Sequence, residues 1–152
     1  KEGSTKKIIE ASGKKFDELV SLFGEEKSNQ IITLVKERLN LIVDLQKEVG
    51  FFLNSPSSYD PKVLNKLNKE EALIVLKFCT LEVRVSKDSA AIKEGLFRES
   101  TKNKISFGQT MKTLRLAIVG ALRGPDLFKI VEIIGTDEAL KRINKLTKTL
   151  KQ

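Results

Sequence analysis

The chain has 152 residues, of which 28 are Lys or Arg and 20 are Asp or Glu, so it carries a formal charge of +8 with no His to alter it near neutral pH. That length suits one domain or two small helical lobes, and a 40% hydrophobic share beside 32% charged residues is the profile of a soluble protein rather than a disordered or membrane one. Without His, imidazole acid–base chemistry, His-based triads and His metal ligands are excluded, and the single cysteine, Cys79, can build neither a thiolate zinc site nor an internal disulfide. Cys79 lies in the apolar stretch Ala72 to Leu81 and reads as a buried core residue of a reducing compartment. A start at Lys1 without a signal-peptide pattern points to a piece of a longer polypeptide. No apolar run approaches the roughly 18 residues of a membrane span, so no membrane partner and a cytoplasmic location are expected.

Apolar residues recur at three- and four-residue spacing and only three Pro interrupt them, which predicts an all-α chain. A first helix is expected from Ser4 to Phe23, interrupted at Gly13 and stopped at Gly24. The series Ile31, Val35, Arg38, Ile42, Leu45, Val49, Phe52 follows as a buried helix face in which Arg38 is the exception. Turn formers concentrate between Asn54 and Pro61, the best linker candidate, and Asp60 followed by Pro61 suits an N-cap and a first helical position. Another helix is expected from Lys69 to Val83. Its neighbour Thr80 to Val85 alternates like a strand but has no visible partner, and is read as helical or irregular.

Beyond Ser86 a helix over Ala90 to Thr101 precedes the basic turn Thr101 to Lys104. Ser106 and Gln109 form a capping box that predicts a helix from Phe107 to Leu122. Gly124 and Pro125 then stop one helix and start the next, with Pro125 as its first residue; Gly135 closes it, and a last helix covers Asp137 to Leu150.

Residues 1 to 83 hold 13 basic and 13 acidic side chains, whereas residues 84 to 152 hold 15 basic and 7 acidic, so the whole +8 lies in the second part. This suggests a near-neutral lobe, 1–83, and a basic lobe, 84–152, whose field would attract phosphates. Lys141, Lys145 and Lys148 share one helical face and read as an ordinary solvated stripe. The sharper signal is Lys112 and Arg115, three apart on one helix, with Arg123 in the turn before the next helix start. Gly124 permits close backbone approach there, and Pro125 and Leu127 offer apolar surface for an unstacked base. A Gly-Pro corner beside a basic residue is also a common way to turn a chain, so a helical protein-interaction module with a basic surface is the alternative. A helix-turn-helix DNA reader fits poorly, because Lys129 is the only basic side chain between Pro125 and Ile134.

The run Leu114-Arg-Leu-Ala-Ile-Val-Gly-Ala-Leu-Arg-Gly-Pro-Asp-Leu-Phe-Lys-Ile-Val-Glu-Ile-Ile-Gly135, followed by Leu140-Lys-Arg-Ile143, resembles the C-terminal end of bacterial-type class I glutamyl-tRNA synthetases. Leu34-Val-Lys-Glu-Arg38 and Phe51-Phe-Leu53 resemble an upstream helix of the same family. Val119 departs from the usual Thr before the Gly, Gly124 stands where some members have Thr, and no H-I-G-H-like or K-M-S-K-S-like sequence occurs. The resemblance implies an anticodon-binding region of two helical lobes that grips glutamate tRNA, probing its loop while a catalytic domain outside this chain uses ATP and Mg. It implies no catalytic residue, cofactor or metal in this chain, a monomer, and no DNA partner. It assigns Arg38 to the third anticodon base, and Arg115, Gly124, Pro125 and Leu127 to the other two. Lys36, Lys112 and Arg123 become supporting phosphate contacts. For Arg38 an ion pair with Asp44 or Glu48 is the structural alternative.

Overall fold

The computed structural model describes residues 14–36 and 49–152, and among them every regular element is an α-helix. In chain order these are α1 (Lys14–Lys36), a short helical stretch at 49–53, α2 (Pro61–Lys66), α3 (Lys69–Val85), α4 (Ser89–Lys102), α5 (Phe107–Val119), α6 (Leu127–Ile134) and α7 (Thr136–Lys151). The chain divides into two compact units, Lys1–Asn54 with Gly124–Asp126, and Ser55–Arg123 with Leu127–Gln152.

In the first unit, α1 breaks at Gly24, whose φ of 83° and ψ of 167° no helical residue adopts. The expected stop is therefore present, but a second helical run resumes at once, and Ser28 Oγ donates to the Gly24 carbonyl at 2.7 Å across the break. Ile31, Val35, Val49 and Phe52 of the expected apolar stripe are buried. Gly13 and the stripe's Arg38, Ile42 and Leu45 lie outside the described residues.

The second unit is built on side-chain caps that the sequence supplies. Asp60 accepts from Lys62 N at 3.0 Å with Pro61 in the first turn of α2, and Asn68 accepts from Glu71 N at 3.1 Å to start α3. Asp88 accepts from Ala91 N at 2.8 Å for α4, and Ser106 from Gln109 N at 3.1 Å for α5, the N-cap bond of the predicted capping box. Each cap satisfies a backbone donor that the first helical turn leaves without an intrahelical partner. Thr80 to Val85 completes α3 and buries Glu82 and Val83, so the strand-like alternation yields to helix where no neighbouring strand could pair with it.

The α3 helix packs against α4, α5 and α7, and α6 packs against α4. Val75, Leu96, Leu114, Ile118, Ile130 and Leu146 are wholly shielded in this core. Cys79 lies there too, its thiol pushed above the ordinary range by burial first and by the Glu82 charge second. The expected lobe boundary after residue 83 falls inside α3, because composition changes at that point while packing does not. Counted by the compact units, the charge contrast is sharper: 9 basic and 10 acidic residues in the first, 19 and 10 in the second.

The expected ends around the Gly124-Pro125 junction also move. Gly120 takes a left-handed conformation at φ 90°, which stops α5 at Val119 rather than Leu122. With Gly124 also at positive φ, 108°, the turn spreads over residues 120–126 and α6 starts at Leu127, so Pro125 belongs to the loop and not to the first helical turn. Asp126, a residue type suited to an N-cap, directly precedes the helix.

Candidate nucleic-acid interface

In the second unit, α5 carries the cationic residues that the sequence singles out. Lys112 is exposed and Arg115 half-buried one turn later, near the end of the helix. Arg115 Nη1 donates to the Arg123 carbonyl at 3.0 Å, tying the residues that follow α5 back onto it. The guanidinium expected to meet a base thus also shapes the loop, and Arg123, whose carbonyl accepts this bond, is an exposed residue.

The loop is clamped from the other side by the segment read as a linker. Asp60 N donates to the Gly120 carbonyl at 2.8 Å, and Lys145 Nζ donates to the Pro56 carbonyl. A Cβ on Gly120 would lie 2.9 Å from both Pro56 Cβ and the Ser58 carbonyl oxygen, a contact that only glycine avoids. The linker candidate is therefore part of the second unit from Ser55 onward. Lys141, Lys145 and Lys148 are all exposed, as the reading of a solvated stripe required, and Lys145 in addition reaches this clamp.

Leu127 is 1% exposed, one of six apolar side chains that the eight-residue α6 buries. It presents no surface on which a base could lie, so any part it plays at a ligand comes through its backbone or its support of the loop. Gly124 and Pro125 group with the first unit, and Pro125 is buried. Lys36 closes α1, and Arg38 lies outside the described residues, as do its alternative partners Asp44 and Glu48.

Sequence reasoning missed Arg142. This side chain is 0% exposed, with Nε donating to Glu138 Oε2 at 2.6 Å and Nη1 to the Ile118 carbonyl at 3.0 Å. It thereby satisfies a last-turn carbonyl of α5 from α7. Burial pulls its pKa below the usual arginine value, and Glu138 opposes that shift by hydrogen bonding and charge. The signal was present: Arg142 falls on the same helical face as Ala139, Ile143, Leu146 and Leu150, with Glu138 one turn before it. A separate groove between α3 and α7, floored by Leu73, Leu76 and Leu140, contains none of the candidate residues.

A family model described as an anticodon binding domain matches residues 6–147. The glutamate–tRNA ligase of Flavobacterium johnsoniae is 36% identical over 126 residues, covering 82% of this chain and 25% of the relative. That of Porphyromonas gingivalis strain W83 is 34% identical over 128 residues, covering 83% and 25%. Among solved structures, a glutamate tRNA ligase from Elizabethkingia meningosepticum in complex with its amino acid superposes with a TM-score of 0.82 at 30% identity, over 97% of this chain and 30% of that one. The glutamate-tRNA synthetase of Elizabethkingia anophelis gives 0.81 at 30% identity, over 95% and 28%. The chain spans about a quarter of the length of the curated relatives it matches. The resemblance read from the Leu114 to Gly135 run therefore holds across nearly the whole sequence, and the chain belongs to the anticodon binding domain family, in the form found in glutamate–tRNA ligases.

Proposed function

We propose that this protein reads the anticodon loop of glutamate tRNA as one part of a glutamate–tRNA ligase. The ATP-dependent attachment of glutamate, with its ATP and Mg, is carried out by a catalytic domain outside this chain. The observation that carries the reading is the placement of Arg115. It is half-buried at the end of a helix, beside exposed Lys112, and bonded to the backbone of a clamped loop. A cation held in this way can donate to a base edge without first being ordered, while neighbouring lysines meet phosphates.

In this reading Arg38 contacts the third anticodon base from the first lobe. Arg115, Gly124 and Pro125, with Leu127 acting through its backbone at the start of α6, serve the other two, and Lys36, Lys112 and Arg123 support the phosphates. Reading a single-stranded loop from two lobes exposes Watson–Crick edges that a stacked helix would hide. The protein works as a monomer in the cytoplasm. Among the described residues no helix is long and apolar enough to cross a membrane.

Filter binding to a panel of glutamate tRNA transcripts with single anticodon changes, at several salt concentrations, tests this. The expected result is an affinity that falls with salt and falls further with anticodon changes. Affinity independent of salt, or of the anticodon, would sink the reading. An affinity that falls with salt but is blind to the anticodon is what an interaction module with a merely basic surface produces.

A further inference from the structure

Phe97 is the only aromatic side chain among the large exposed hydrophobics of the described residues, with 58% of its surface open. Its ring meets Phe107 edge to face at 5.5 Å between centroids, and Phe107 stacks on Phe128 at 6.3 Å with the planes 7° apart. Phe128 is buried and Phe107 half-buried, so the three rings form a ladder from core to surface that braces Phe97. Phe107, Met111 and Arg115 recur every four residues on α5, which puts the ladder and the candidate reading arginine on one helical face. The exposed neighbours of Phe97 on α4 are Lys93 and Glu94 one turn before it and Thr101 one turn after, and exposed Lys104 precedes Phe107 by three residues.

We propose that Phe97 is a stacking platform for an unpaired base of the RNA that the Arg115 face of α5 binds. This rests on the anticodon-reading function proposed above. A lone braced ring, with cations along the continuation of its face, is the combination that holds single-stranded nucleic acid: every base has a π-face for the ring, and the cations follow the backbone. A protein interface would call for a contiguous apolar patch, and the polar residues around Phe97 on α4 do not supply one. Because stacking is sequence-tolerant, Phe97 adds affinity for the loop while Arg115 supplies base choice.

The chain contains no Trp and one Tyr, so Phe97→Trp introduces a lone indole at this position. Titrating F97W with a glutamate tRNA transcript should quench its emission along the same isotherm as filter binding. Phe97→Ala should weaken binding by about 5- to 100-fold and by similar factors across the anticodon panel. Phe97→Leu, which keeps apolar volume without a π-face, should behave like F97A, and Phe97→Tyr should restore binding. If the wild-type protein binds the tRNA while F97W emission is unchanged and F97A binds equally well, the stacking platform is wrong and the anticodon reading stands. If F97L binds like wild type, the ring acts through bulk alone and the proposal fails. If the wild-type protein does not bind the tRNA, the function fails and the platform with it.

Discussion

Two arginines serve the C-terminal end of α5, one from within the core and one near the surface. Arg142 reaches the Ile118 carbonyl from α7, fully shielded and in an ion pair with Glu138; Arg115 starts on α5 itself, is half-buried, and reaches the Arg123 carbonyl beyond the helix end. Both donate to a backbone carbonyl at about the same distance, so hydrogen-bond geometry does not distinguish them. Burial does. A guanidinium sealed among Ala139, Ile143 and Leu146 can act only on the fold, whereas one that solvent reaches can also meet a ligand. The same residue type thus fixes the helix end on one side and offers it for binding on the other.

The strongest way to break this comparison is Arg142→Ala. Removing the side chain leaves the Ile118 carbonyl without its Arg142 donor, strips Glu138 of its counter-charge and opens a cavity in a packed interior. Glu138 is partly exposed, which lowers the penalty below that of a sealed pair, and a loss of about 3 kcal/mol is expected. Urea denaturation followed by circular dichroism checks it. A variant as stable as wild type would remove Arg142 from the supports of α5.

Next in size is a pair of glycine substitutions. Gly120 and Gly135 have nearly equal positive φ values, 90° and 87°, but their ψ values part them: −3° leaves Gly120 in the left-handed helical region, which alanine enters at a cost of about 1 kcal/mol, whereas 166° puts Gly135 in a region that is essentially glycine's alone, at about 1–3 kcal/mol. They differ in surroundings: a Cβ at Gly135 meets nothing within 4 Å, while at Gly120 it meets Pro56 and Ser58. Gly120→Ala should therefore cost about 2–3 kcal/mol from strain and contact together, and Gly135→Ala about 1–3 kcal/mol from strain alone. A Gly120→Ala loss of no more than about 1 kcal/mol, its backbone strain alone, would mean that the segment from Pro56 to Asp60 yields freely and that the clamp on the loop is weak.

Local chemistry was legible in the sequence wherever one residue and its near neighbours decide the outcome. Asp60, Ser106, Gly24 and Gly135 act where their residue types place them, and the burial of Cys79 follows from the apolar stretch Ala72 to Leu81 around it. The stop at Gly120 was not legible. It sits inside an apolar run that continues a helix pattern, and its surroundings come from Pro56 and Ser58, more than sixty residues upstream. For the candidate site, the spacing of Lys112 and Arg115 was readable, since both lie on one helix. The bond from Arg115 to Arg123 and the burial of Leu127 depend on how the loop folds back, and no periodicity encodes that. The unit boundary was missed because charge marks a change in surface, whereas α3 shares its core with α5 and α7.

On the outer side of α5, Arg115→Ala should leave the fold nearly intact. It removes the partly exposed hydrogen bond to the Arg123 carbonyl, worth about 1 kcal/mol of stability. Discrimination at one anticodon position should fall by about 1–3 kcal/mol, read from the transcript panel. A uniform loss across the panel would make Arg115 a phosphate contact or a brace for the loop, and the contrast with Arg142 would shrink to one of degree.

The smallest expected effect belongs to Lys112, and it sharpens the comparison by separating charge from base reading on one helix. Lys112 is exposed, so Lys112→Ala removes no buried contact and should not move the unfolding midpoint. If its ammonium meets one phosphate, binding to every member of the panel should weaken by the same factor, because phosphates carry no sequence. The slope of log affinity against log salt should then become shallower by about 0.7, the counterion release of a single contact on a single strand. Measured at one salt concentration, K112A and R115A could look alike. Across salt and anticodon together they diverge: the lysine variant changes the slope and keeps the ranking of the transcripts, while the arginine variant changes the ranking. A lysine variant with an unaltered slope would take Lys112 off the phosphate path and leave Arg115 and Arg123 as the cations to test there.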